Sequence, residues 1–129
     1  MNVLDENLIA QQCVLLRAWR IPFRQIGQHL ATQGTLDENL IPLLLRLPQP
    51  TFFTHDRDFF RVSLCHARYA VVYLEVSDEV AAEFIRRFLR HPSFDTTAKR
   101  LGIVAKVQIS GVQYWKKGRP GLRSADWSE

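Results

Sequence analysis

Residues 69–76 read YAVVYLEV, an almost continuous apolar run rich in β-branched and aromatic side chains. A strand with no polar face has to be covered on both sides, which in one short chain requires a mostly parallel sheet with crossover helices packed against it. The rest of the sequence supplies the matching pieces. Residues 1–4 read as a buried first strand that stops at Asp5-Glu6-Asn7, and Leu8, Ile9, Val14, Leu15 and Ala18 then recur near the helical repeat. A first helix is expected from Asn7 to near Trp19, with Asn7 or Asp5 as its cap. Residues 21–26 alternate as a short second strand closed by Gly27, and Gly34 with Thr35 mark a loop. A second helix opens at Leu36 with Asp37 and Glu38 in its first turn, where the helix dipole favours negative charge. Pro42 is tolerable in that helix only within the first turn.

Pro48 and Pro50 stop this helix, and Thr51-Phe52-Phe53-Thr54 suits a third, central strand, followed by a short helix from Phe59. Ser77 is placed to cap an amphipathic helix that runs to Arg90, and residues 94–101 suggest a further short helix ended by Gly102. Residues 104–109 alternate as a strand, and Ser110-Gly111 turns the chain into residues 112–115. The expected fold is therefore α/β, with right-handed crossovers, a mostly parallel central sheet flanked by helices, and a C-terminal β-hairpin at its edge.

At 129 residues and 15.0 kDa the chain suits one core, expected over 1–115, followed by a basic tail at 116–129. No apolar run reaches the roughly 18 residues of a membrane span, and the start of the chain lacks the basic region of a secretory signal. A cytoplasmic location with no membrane contact is expected. Cys13 and Cys65 fit no metal spacing and read as free thiols. The net charge of +4 is uneven, since residues 96–129 carry seven Lys/Arg against Asp126 and Glu129. That end either touches phosphate or is a solvated tail.

Chemistry is carried by acids. Asp5 follows the first strand, Asp56 and Asp58 follow the third, and Asp37 with Glu38 opens a helix that can face the same rim. Ligands of parallel α/β sheets bind outside the carboxyl ends of the strands. Carboxylates gathered there repel by on the order of a kcal/mol per pair, so the cluster asks for a cation, and hard oxygen donors select Mg²⁺ or Mn²⁺. One or two such ions suit phosphodiester cleavage. The plainer readings are first-turn charges for Asp37 and Glu38, a helix cap for Asp5, and a cap of the helix at Phe59 for Asp58.

The blocks Val3-Leu4-Asp5-Glu6-Asn7-Leu8, Leu36-Asp37-Glu38-Asn39-Leu40 and Phe53-Thr54-His55-Asp56-Arg57-Asp58-Phe59 resemble, in order and spacing, those of small PIN-like proteins that open with Leu-Asp-Glu-Asn-Leu. The resemblance covers residues 1–76. It implies a compact three-layer α/β fold and Mg²⁺- or Mn²⁺-dependent cleavage of single-stranded RNA, often by the toxin of a toxin-antitoxin pair. It further implies Asp5 and Asp56 as principal metal ligands, Asp37 or Glu38 as the helix-borne acid, and Asp58 as a further ligand or water-positioning group. Asn7, Thr54, Arg57 and Arg61 are the expected substrate contacts. The chain departs from the family in showing Thr54-His55-Asp56 where Thr-Arg-Asp or Thr-Lys-Asp is usual, so His55 is either a substitute cation or a ligand or base. The apolar face of residues 78–90 serves the core, a homodimer or an antitoxin protein. A rival is a catalytically weak protein of this fold that acts through a protein partner. A receiver-like or phosphatase-like domain would need a phosphoacceptor Asp and a later Lys, which the sequence does not place.

Overall fold

The structure is a computed structural model that describes residues 1–27 and 37–128. The loop expected at Gly34 and Thr35 lies outside them. Seven strands form one sheet: β1 (Asn2–Leu4), β2 (Arg24–Gln25), β3 (Thr51–Thr54), β4 (Ala70–Leu74), β5 (Ile103–Gln108), β6 (Gly111–Lys116) and β7 (Arg123–Ala125). Their order is β2-β1-β3-β4-β5-β6-β7. Pairing is parallel from β2 across to β5 and antiparallel from β5 to β7. The helices are α1 (Ala10–Ala18), α2 (Asp37–Arg46), α3 (Ala81–Arg90) and α4 (Thr97–Arg100). No helix among the described residues is long and apolar enough to cross a membrane.

Every residue of β3 and β4 is buried, as an unbroken apolar run requires. Alternate side chains enter two separate cores. Leu4, Phe53, Val72 and Ala105 pack with Cys13 and Leu16 of α1 and with Phe84, Ile85 and Phe88 of α3. Val3, Phe52, Val71 and Val104 pack with Leu40 and Leu44 of α2. The mixed α/β fold and the terminal hairpin agree with expectation.

Local details differ where tertiary partners intervene. The first helix starts at Ala10, and neither Asn7 nor Asp5 caps it, because the Asp5 carboxylate is engaged by Glu6 and Thr54. The second strand shrinks to two residues, since Pro22 brings no N–H to the ladder. Pro42 is the sixth residue of α2 and not in its first turn, so the Glu38 carbonyl lacks its usual intrahelical donor. Ser77 makes no side-chain cap. Gln12 of α1 does that work from outside: its Oε1 accepts from Ala82 N–H at 2.9 Å and its Nε2 donates to Glu79 O at 3.0 Å. The helix expected at Phe59 is a single 3₁₀ turn, Arg57–Phe59, followed by a second at Val62–Leu64.

The segment 116–129, expected as a basic tail, contributes to the sheet: Lys116 ends β6 and Arg123–Ala125 forms β7. Ala125 is buried in the core, and Trp127 Nε1 donates to Gln108 O at 2.8 Å. Gly111 permits this return: a Cβ there would lie 2.6 Å from Ala125 O, and its φ is +152°. Cys13 and Cys65 are free, and burial raises both thiols above their ordinary pKa.

Candidate functional site

The chain leaves β1 toward β2 on one side and returns through α2 to β3 on the other. The strand order therefore reverses between β1 and β3, the kind of position at which ligands of parallel sheets bind, outside the carboxyl ends of the strands. Asp5 is the first residue beyond β1, held to β3 by its N–H on Phe53 O at 2.9 Å. Its Oδ2 accepts from Thr54 Oγ1 at 2.6 Å and its Oδ1 from Glu6 N–H at 2.8 Å. Thr54, the last residue of β3, is fully buried, and its Oγ1 in turn accepts from Asp56 N–H at 3.0 Å. One hydroxyl thus couples the acids that follow two adjacent strands.

Asp5 is only 8% exposed. Burial raises its carboxyl above the ordinary value, the bonds from Thr54 and Glu6 oppose this, and the charges of Glu6 and Asp56 add to the rise. Asp56 Oδ1 accepts from Asp58 N–H at 2.9 Å, so Asp56 caps the 3₁₀ turn and Asp58, expected as a possible cap, does not.

Asp58, Glu38 and Arg61 are exposed and line a separate depression of about 380 Å³ with Ile41 and Phe59. The structure thus places the expected residues in two groups, Asp5–Thr54–Asp56 and Glu38–Asp58–Arg61. Asn7 and Arg57 are exposed. The side chain of Asp37 lies outside the described residues. Among the described residues no three His, Cys, Asp or Glu side chains gather closely enough to share a metal ion. The linked donors are two carboxylates and a hydroxyl, an oxygen set of the kind Mg²⁺ and Mn²⁺ accept, and a third carboxylate would have to come from the start of α2.

His55 turns away from this cluster. Its Nδ1 lies 3.0 Å from Leu74 O, which makes Nδ1 the protonated nitrogen, and its Nε2 lies 3.4 Å from Asp78 Oδ1. It is half-buried, not an exposed side chain.

Strand register adds residues that the sequence reading missed. Tyr73 pairs with Thr54 across β3 and β4, and Lys106 pairs with Tyr73 across β4 and β5, so the three side chains stand in one row. Burial raises the Tyr73 phenol, with the Glu75 charge adding and Arg57 opposing. Lys106 Nζ lies 5.0 Å from the Phe60 ring centroid, and Phe60 stacks on Trp115 at 4.5 Å. No local pattern marks these positions, because they are neighbours only through pairing.

Replacing Thr54 by the near-isosteric Val removes the acceptor for Asp56 N–H and the donor to Asp5. A destabilisation of about 2 kcal/mol is expected, within the range for orphaned buried polar groups. Urea unfolding of Thr54→Val and Thr54→Ser checks it, with Ser retaining most of the stability.

Compared with protein-family models, with curated proteins and with solved structures, the chain matches none of them.

Proposed function

We propose that this chain is a Mg²⁺- or Mn²⁺-dependent endoribonuclease with a three-layer PIN-like arrangement, acting on single-stranded RNA in the cytoplasm as the toxin of a toxin-antitoxin pair. The observation that carries the reading is the Asp5–Thr54–Asp56 linkage at the carboxyl ends of β1 and β3, where the strand order reverses. RNA as the substrate, and an antitoxin or a second copy as partner, come from the sequence resemblance.

Asp5 and Asp56 would hold the ion, with Asp37 or Glu38 from the first turn of α2 as the third acid. The bound ion supplies Lewis-acid polarisation of the scissile phosphodiester. The chain's own contributions are positional. Thr54 keeps the Asp5 carboxylate oriented and ties it to the segment that carries Asp56. Arg57 and Arg61, exposed on the 3₁₀ segment after β3, offset phosphate charge. Lys106 brings a further cation to the row that contains Thr54.

One observation favours a second reading. The described residues bring no third carboxylate to the linked pair, which suits a protein that keeps the fold but turns over poorly and acts through a protein partner. The two readings separate when Mn²⁺ is titrated into wild type and Asp56→Asn while cleavage of a mixed RNA pool is followed. The nuclease reading expects Mn²⁺-dependent cleavage that Asp56→Asn abolishes. Equal residual activity in the two proteins removes Asp56 from the site.

A further inference from the structure

Two depressions lined by arginine lie beside the packed pair α1 and α3. One, of about 330 Å³, is lined by Arg86, Arg87, Arg90, His91, Pro92 and Trp127. The other, of about 360 Å³, is lined by Arg17, Arg20, Ile21, Pro22 and Phe23. The Arg86 guanidinium lies 3.8 Å from the ring centroid of Trp19, the residue before Arg20. No acid and no lysine lines either depression. Arg87 pairs with Glu83 at 3.1 Å, whereas Arg17, Arg20, Arg86 and Arg90 pair with no carboxylate among the described residues.

Arginines in the last turn of a helix also answer the helix dipole, and that alone would account for Arg17, Arg87 and Arg90. Arg20 needs another reason. The end of α1 is closed by Ile21 N–H on Leu16 O and Arg20 N–H on Arg17 O, both at 3.0 Å, the double bond pattern whose left-handed residue is normally glycine. Arg20 holds that position with φ +59°. A long cationic side chain at a site that favours glycine costs stability, and what it adds is a guanidinium lining the second depression.

We infer that this surface binds the phosphate backbone of single-stranded nucleic acid, at a place distinct from the Asp5–Thr54–Asp56 linkage. Because β1 and β2 are parallel, α1 runs from the carboxyl ends of the strands back toward their amino ends, where Arg20 lies, while Arg17 also lines a depression that reaches Glu6. Planar guanidinium forks match phosphate and carboxylate alike, so the choice of nucleic acid over an acidic peptide rests on the aromatic surface beside them. Trp127 in one depression offers a ring surface beside the cations, Phe23 in the other lies under the Arg17 guanidinium at 5.0 Å, and two separate hollows suit unpaired bases better than a duplex.

The test is fluorescence anisotropy with a labelled oligouridylate over a salt series, in the presence of chelator so that no divalent ion joins the RNA to the carboxylates. Arg86→Gln/Arg90→Gln and, separately, Arg20→Gly are each expected to weaken binding several-fold. The slope of log affinity against log salt should flatten by about 0.7 for each phosphate that a variant no longer neutralises. Arg20→Gly keeps the test decisive, because it is expected to raise the urea midpoint while it lowers affinity. Arg46→Gln, the same loss of one charge as Arg20→Gly but on α2, should bind as wild type does. Wild-type binding by both arginine variants overturns the inference, as does displacement of the RNA by polyglutamate as readily as by unlabelled strand, or preference for a duplex of equal length. Failure here leaves Mn²⁺-dependent cleavage untouched, and failure of cleavage leaves this binding untouched.

Discussion

Phe88→Ala is expected to lower the free energy of unfolding by about 3–5 kcal/mol, the range for emptying a fully buried aromatic site. Phe88 is completely inaccessible to solvent. Its ring meets Phe53 of β3 edge-on, with centroids 6.0 Å apart, and stacks on Phe94 at 4.6 Å. Truncation therefore opens a cavity between α3 and the centre of the sheet and removes two ring pairs, each worth about 0.5–1.5 kcal/mol beyond its area. Against a total stability of about 5–15 kcal/mol for a domain of this kind, the change is a large fraction. It should appear in urea as a lower midpoint with an unchanged slope, and Phe88→Leu should cost less because it refills part of the space. A change below about 1 kcal/mol would mean that the site collapses freely, contrary to the packing described.

Asp5→Asn is expected to abolish Mn²⁺-dependent cleavage, by about 100-fold or more if the ion's contribution is several kcal/mol, and to remove an acid-range slope from the stability curve. The sign follows from the raised Asp5 carboxyl. Its ordinary value is 3.8, and burial lifts it in the folded chain. Between those two values the folded state binds more protons than the unfolded state, so the Asp5 contribution to stability is fully present below 3.8 and is lost as pH rises through the raised folded value. Asn carries no such titration. Divalent ions should stabilise wild type by mass action and leave Asp5→Asn unmoved. An Asn variant with the wild-type pH slope would remove Asp5 as its source, and one that still cleaves would remove Asp5 from the chemistry.

Much of the architecture is legible from local patterns. Residues 51–54 are a strand with the limits their β-branched and aromatic composition suggests, and the run 69–76 contains β4, buried throughout. A hairpin joins β5 to β6 as alternation indicates, but its turn is Ile109-Ser110, one residue before the expected Ser110-Gly111, and Gly111 pairs with Gln108 as the first residue of β6. Acids after the first and third strands are visible as types at positions. What they touch is not. Asp56 as a cap, Thr54 as the link between two carboxylates, and His55 turned toward Leu74 and Asp78 each depend on a partner that no spacing identifies.

The same division holds for the unbroken apolar run of β4. Its composition alone demands cover on both faces, and hence a parallel sheet with helices, because unpaired backbone and exposed apolar surface are both costly. Which strands lie beside it was decided only in the folded molecule. Pairing with β3 and β5 sets Thr54, Tyr73 and Lys106 in one row, and β7 closes an edge that the basic composition of residues 116–129 concealed. Local sequence acts on dihedral angles and periodicity over a few residues. Register, capping from a distant helix and the meeting of Arg86 with Trp19 arise from burial shared between segments far apart in the chain, so only the tertiary structure could settle them.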